Sequence, residues 1–294
     1  MHNYDLRECL QAVLDTEIQS SEPLSVGFGL TGAVVTLKDG RRLAVKAKVN
    51  AKKHGEDAGP SLAIEGYMLG ELARCTELPV PHVHVCEPDL LVMDFIDNDG
   101  GPITPDVERD AAQLIAALHA TPRSYFGYAR DTLIGPLHQP NPESTLWVSF
   151  FREQRLLYMA RAARDEGQLP APLYGRLERL ADVLEDFLAE PPFPSLLHGD
   201  LWTGNVLVKS DRIAGLVDPG VYCGHREIEL AFATMFGTFG RAFFEVYESI
   251  LPLEPGFHEM RRDIYNLYPV LVHVRLFGGR YLGAVKDTLA RLGL

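Results

Sequence analysis

The 294-residue sequence has only four cysteines, Cys9, Cys75, Cys86 and Cys223, and no two of them share CxxC spacing. That scarcity excludes a disulfide framework and a cysteine zinc site, and reduced, mostly buried thiols are expected. Cations are also in deficit: Lys and Arg number 28 against 40 Asp and Glu, for a formal net charge of −12. Such a balance opposes a nucleic-acid partner, which needs a basic face and its counterion release. The one basic run, Lys46, Lys48, Lys52 and Lys53, reads for the most part as a solvated edge. No apolar run approaches the ~20 residues of a membrane-spanning helix. The start MHNYDLRECL has neither a basic nor an apolar leader segment, so no membrane partner is expected and the expected compartment is the cytoplasm. No internal repeat or low-complexity tract appears. What is abundant is apolar side chain, 46% of the chain, enough for one large domain or two lobes.

The character of the chain changes near residue 97. Ahead of it, strands dominate: 33–37 and 42–48 are β-rich runs separated by Lys38-Asp39-Gly40-Arg41, whose Asp-Gly pair suits a tight hairpin. SLAIEGYMLGELAR then carries Leu62, Glu65, Leu69 and Leu72 at helical spacing, with Ser61 after Pro60 as the N-cap. Strands at 83–86 and 90–95 follow, and IDNDGGPITP reads as a connection. Beyond it, Thr104-Pro105-Asp106 starts a helix with a hydroxyl cap, Pro at the first position and an acid at the positive end of the dipole. Apolar stripes then recur, interrupted by one β island, 206–208 and 213–217, turning at Ser210 and Asp211. The order is a small β-rich segment with one main helix, 1–97, and a larger helical segment, 98–294, the fold class being α+β.

Phosphoryl transfer from ATP needs a cation on the phosphates, a bridging metal, oxygen ligands for it, and a group that orients the attacking hydroxyl. Each has a candidate. Lys46 lies in the apolar strand LAVKAK, on one face with Ala44 and Lys48 by alternation. Alone it reads as an edge residue, but Glu65 in the next helix supplies the carboxylate of a kinase-type ion pair. In LLHGDLWTGN, Asp200 and Asn205 stand five apart, and Asp218 of VDPG follows beyond the hairpin. Asp200 suits the base that accepts the substrate hydroxyl, and Asn205 and Asp218 suit Mg2+ as hard oxygen ligands. His198 reads as a brace for the loop rather than as the base. Asp94-Phe95-Ile96, ending the last strand before the connection, suits adenine recognition by a backbone edge. SVGFGLTGAVV has glycines at 27, 29 and 32 ahead of a strand, which departs from GxGxxG as a phosphate loop.

LLHGDLWTGNV, DPGVYCGHREIELA, MFGTF and LFGGRYLGAV together resemble the fructosamine kinase (ketosamine-3-kinase) family over nearly the whole chain. HGDLWxGN with Trp202, and the run through Tyr222, Gly224, His225, Glu227, Glu229, Leu230 and Ala231, are more specific than the HGD and Asn of related aminoglycoside and choline kinases. The resemblance implies a bilobal protein-kinase-like fold, with a nucleotide-binding lobe at 1–97 and a catalytic and substrate-binding lobe at 98–294. It implies ATP-dependent phosphorylation of the sugar 3-hydroxyl of ketoamines formed by glycation of amines. By position, Asp200 matches the family's proton acceptor, Lys46 and Glu65 its ion pair, Asn205 and Asp218 its metal ligands, and Asp94 to Ile96 its hinge. Trp202 and His225 are candidates to line the sugar, since an indole face suits a sugar's C–H face. The glycine-rich segment departs from the family pattern, and Gly220 stands where the family more often has alanine, loosening the turn. A phosphate at C3 lies β to hydrogens activated by the C2 carbonyl, so its loss is eased, the amine can then be freed, and phosphorylation would act as repair.

Three rivals stand beside this reading. One is a kinase for another hydroxylated amine such as an aminoglycoside, against which Trp202 and Gly224-His225 argue. The second is a nucleotide-binding pseudokinase. The third is a metallohydrolase using His198, Asp200 and the His82/His84 pair, which leaves Lys46 and Glu65 unexplained.

Overall fold

A computed structural model describes Leu10, residues 16–48 and residues 61–294. Cys9, Lys52, Lys53 and Pro60, named above, lie outside the described residues. The described residues fall into two compact units, one comprising those up to Gly101 with Val206–Pro219, the other Pro102–Asn205 with Gly220–Leu294. The hairpin that sequence order places in the second segment therefore packs with the first.

The first unit is built on a five-stranded sheet, β1 (Ile18–Leu24), β2 (Leu30–Leu37), β3 (Arg42–Lys48), β4 (Val83–Glu87) and β5 (Leu90–Asp94), ordered β1-β2-β3-β5-β4. Neighbours pair antiparallel. One face buries Val35, Leu37, Leu43, Val45 and Val92; the other buries Ala44, Leu91 and Met93 against helix α1 (Leu62–Cys75) through Leu62 and Leu69. Strand alternation thus divides β3 into two apolar faces, as period-two patterning requires. Gly66 lets α1 lie close on the sheet, since a Cβ there would sit 2.5 Å from Cys86 Sγ. Ser61 holds the N-cap position but its side chain makes no capping bond. Strands β9 (Val206–Lys209) and β10 (Arg212–Leu216) form the hairpin, with Ser210 and Asp211 both at positive φ as a two-residue primed turn demands.

The second unit is mostly helical. Thr104 caps α2 (Pro105–His119) by accepting from the Val107 amide, and α2 buries Val107, Ala111, Ile115 and Leu118. Helices α3 (Trp147–Phe151), α4 (Leu157–Asp165), α5 (Ala171–Asp182), α6 (Arg226–Met235), α7 (Arg241–Ile250), α8 (Arg262–Phe277) and α9 (Leu282–Arg291) follow. A π-helical turn, Arg152–Leu156, joins α3 to α4. Two short ribbons sit among them: β6 (Thr132–Ile134) with β7 (Leu137–Gln139), and β8 (Ser195–Leu197) with β11 (Tyr222–Gly224). No helix among the described residues is long and apolar enough to cross a membrane.

Candidate active site

The first unit gathers Lys46, Glu65 and Asp218. Lys46 shares the helix-facing side of β3 with Ala44, so its chain runs toward α1 and is only 8% exposed. The solvated edge expected of the basic run is absent in its described members: Lys46 is buried, and Lys48 lies 3.6 Å from Asp89 with 12% of its side chain exposed. Lys46 Nζ lies 2.8 Å from Glu65 Oε1 and 2.5 Å from Asp218 Oδ1. Burial works to lower the ammonium's pKa, but the Glu65 and Asp218 carboxylates outweigh it and hold Lys46 above its ordinary value.

Asp218 reaches this position because its hairpin is tied down. The Leu216 amide donates to Pro79 O at 2.8 Å, the Asp99 amide to Val208 O at 3.0 Å, and the Ser210 amide to Asp99 Oδ2 at 2.9 Å. Gly215 admits Ile96, whose Cδ1 would lie 2.2 Å from a Cβ there. Asp218 itself takes φ 52°, a left-handed conformation that aspartate tolerates better than most residues.

At Asp94-Phe95-Ile96, the Asp94 amide donates to His82 O at 2.9 Å and the Phe95 amide to Arg42 O at 3.1 Å. The Arg42 guanidinium lies 4.1 Å over the Phe95 ring. The glycine segment is the turn joining β1 to β2, with Phe28 and Gly29 at positive φ and Phe28 55% exposed. Gly32 pairs directly with Lys46 across β2 and β3. The turn therefore stands in register with the lysine despite its unusual glycine spacing.

The second unit holds Asp200, Asn205, Trp202 and His225. Pairing of β8 with β11 closes the base of the loop, and the Gly220 amide donates to His198 O at 2.8 Å. Gly199, at φ 86°, is forced by this closure, since a Cβ would sit 2.0 Å from Gly220 O. Gly220 is not at positive φ, and its amide and carbonyl are both bonded, the latter by Gln139 Nε2 at 3.0 Å. Glycine does not loosen this turn. Asn205 Nδ2 donates to Asp200 O at 2.8 Å and to Asp200 Oδ2 at 3.0 Å, so its amide oxygen is directed away from that carboxylate. His198 is fully buried, with Nδ1 accepting from the Asp200 amide at 3.4 Å, the bracing position expected of it.

Sequence reasoning assigned no role to the groups beneath the loop. Glu229 Oε1 accepts from the Gly199 amide at 2.5 Å and Oε2 from the His198 amide at 3.2 Å. Glu229 is bonded in turn to His119 Nε2 at 2.8 Å, and His119 Nδ1 to Tyr247 Oη at 2.9 Å. Burial works to raise the Glu229 pKa, but the His119 bond and charge, the His198 charge and the Gly199 amide hold it below the ordinary glutamate range. The signal available was an invasion of the apolar stripe of ELAFA by a carboxylate, which demands a buried partner.

Trp202 is 38% exposed and folds over the backbone of Gly204, where a Cβ would meet its ring at 2.4 Å. His225 instead caps α6 by accepting from the Glu227 amide at 3.0 Å, packed on Trp147 and Tyr265. Burial pushes its pKa down to about 3.

For the metallohydrolase reading, His84 Nε2 bonds Asp94 Oδ1 at 2.7 Å, and no cluster of three or more His, Cys, Asp or Glu among the described residues could hold a metal ion. A hard cation carried on substrate phosphates needs fewer protein ligands, and the Asp218 carboxylate and Asn205 amide oxygen are of the right type for Mg2+.

The family model described as fructosamine kinase matches residues 5–293. The chain belongs to the fructosamine kinase family. A Synechocystis relative named probable ketoamine kinase slr1563 is 38% identical over 270 residues, 91% of this chain and 89% of that one. Among solved structures, a candidate fructosamine-3-kinase from Thermobifida fusca superposes with a TM-score of 0.87 at 31% identity, covering 97% of both chains. An aminoglycoside phosphotransferase in ternary complex with ADP and hygromycin B superposes at 0.66 with 16% identity, over 98% of this chain and 96% of that one. The last shows the fold alone. The superpositions establish an α+β protein-kinase-like fold, and the fructosamine kinase family match an ATP-using phosphotransferase.

Proposed function

We propose that this member of the fructosamine kinase family transfers the γ-phosphoryl group of ATP to the 3-hydroxyl of ketoamines, the fructosamine or ribulosamine adducts of amines or protein lysines. The observation that carries the phosphoryl-transfer reading is Lys46, an almost fully buried ammonium held between Glu65 and Asp218. The family match carries the ketoamine.

In this reading Lys46 holds the phosphates, fixed in direction by Glu65. Asp200 accepts the hydrogen bond of the attacking hydroxyl and takes its proton as the sugar oxygen bonds phosphorus and ADP leaves. Asn205 keeps the Asp200 carboxylate in orientation. Asp218 and Asn205 would hold Mg2+, which would offset the phosphate charge. Asp94 and Phe95 use their amides within the sheet, so adenine recognition rests on the Ile96 amide and the neighbouring carbonyls. The indole of Trp202 lies against the sugar, and His225 serves as the cap of α6. A cytoplasmic location suits a chain with four cysteines and no CxxC spacing.

The test is a panel of fructosamines, ribulosamines and erythrulosamines with ADP detection. Turnover with Mg2+-ATP is expected, and Asp200→Asn lowers kcat by about 10³-fold or more while nucleotide binding persists. Nucleotide binding without ADP release above background on any ketoamine would make the protein a pseudokinase, and ADP release with aminoglycosides alone would assign it to the other kinase class.

A further inference from the structure

A ketoamine has two ends, and only the sugar end meets Asp200. The amine end carries a further group, an amino acid, a peptide or a simple alkyl chain, and that group has to lie on a surface adjoining the catalytic loop. Beside Trp202 the second unit presents a connected set of rings. Trp202 meets Phe236 edge-on at 5.9 Å, Phe236 meets His273 at 5.1 Å, and His273 meets Phe277 at 5.5 Å and Tyr281 at 5.0 Å. Phe236 is 42% exposed and Phe277 45%, unusual values for phenylalanines. The track is anchored at its start, since the Thr203 amide donates to Thr238 Oγ1 at 2.9 Å and so joins the catalytic loop to the segment after Phe236.

At the far end the exposed Arg280 guanidinium lies 5.3 Å from the Phe277 ring and 5.1 Å from the Tyr281 ring. Among the described residues no carboxylate pairs with it. Midway, His273 Nδ1 donates to Pro269 O at 2.7 Å, which leaves the ring face to the track. The chemistry is ordered along one surface: an indole in the catalytic loop, ring faces suited to apolar groups and to the secondary ammonium of a ketoamine, then a guanidinium suited to a carboxylate.

We infer that the track from Trp202 through Phe236, His273, Phe277 and Tyr281 to Arg280 binds the amine-carrier part of the ketoamine and favours carriers that bear an aromatic or apolar group and a carboxylate. The inference rests on the ketoamine reading of the site. It makes this surface, outside the phosphoryl-transfer machinery, the one that separates glycated amino acids and peptides from glycated simple amines.

Two substrates test it: the fructosamine of hippuryl-lysine, whose carrier has a benzoyl ring and a carboxylate, and the fructosamine of propylamine, whose carrier has neither. The native enzyme is expected to show a lower KM for the first. Phe277→Ala and Arg280→Ala should each raise that KM about three- to tenfold with kcat unchanged, and leave both constants for the propylamine adduct as they were. Equal KM values for the two carriers, or variants that move both substrates alike, overturn the inference. If neither adduct is phosphorylated, the function proposal fails first. Calorimetric binding of the same two compounds then decides this one: the same carrier preference, lost in Arg280→Ala, supports it, and no preference or no binding refutes it. A dimer in sedimentation that Phe277→Ala disperses assigns the track to a second copy of the chain and also overturns it.

Discussion

At Lys46 one ammonium faces two carboxylates, and the substitution of either member of the Glu65 pair has a definite consequence. Lys46→Ala removes the cation proposed to hold phosphate and leaves the largely buried Glu65 carboxylate repelled by that of the half-exposed Asp218. Glu65→Ala leaves the ammonium to follow Asp218, its other carboxylate partner. Both changes misdirect the same charge, so each is expected to lower kcat/KM for Mg2+-ATP by about 10²- to 10³-fold, and the double variant to lose little more than either single one. Steady-state kinetics on the three variants checks this, and full activity in either single variant would discard the ion pair as a functional unit. The pair was legible in the sequence because strand alternation aims Lys46 at one face and the next helix offers a carboxylate. The bond from Lys46 to Asp218 was not, because 172 residues separate them and only the tethered hairpin brings them together.

Elements with a long period could be read from the chain, and those without one could not. Helices such as α2 and the strands β2 and β3 announce themselves by repeated burial of one face. Strand β1 does not: of IQSSEPL only Ile18 is buried, since the strand pairs along one edge with β2 and packs little else. Strands β6, β7, β8 and β11 are three residues each, too short to show alternation, yet β8 with β11 is what closes the loop that carries Asp200. That closure supplies a contrast between two glycines. Gly199→Ala forces a Cβ to 2.0 Å from the Gly220 carbonyl and a side chain onto φ 86°, and a loss of at least about 3 kcal/mol in unfolding free energy is expected. At Gly220 the nearest atoms to a new Cβ are 3.2 Å away, Ile134 Cδ1 and Leu133 O, and φ is not positive, so Gly220→Ala should cost no more than about 1 kcal/mol. Urea midpoints of the two variants compared with the native protein test the assignment; similar losses would mean that loop closure does not depend on Gly199.

Across the whole molecule the charge is −12, and the lysine proposed to receive phosphate already sits against two carboxylates. A polyanionic nucleotide therefore approaches a surface of its own sign and a cation that is already compensated. In the proposed site a divalent metal would change both terms, because it would reduce the nucleotide's charge and give Asp218 an alternative partner to Lys46. Free ATP is accordingly expected to bind at least about tenfold more weakly than Mg2+-ATP, a difference of about 1.4 kcal/mol. The sign of the salt effect follows from the same argument. Raising ionic strength from about 0.05 to about 0.5 M shortens the screening length and weakens like-charge repulsion, so free ATP should bind more tightly as salt rises. Asp218→Asn removes one of the repelling carboxylates and the proposed metal ligand together, so it should strengthen binding of free ATP and abolish the advantage of magnesium. Calorimetric titration of the native protein and this variant, with and without the metal, reads all three effects. Binding of free ATP that weakens with salt would show Lys46 acting as an uncompensated cation, and the charge balance proposed for the site would then be wrong.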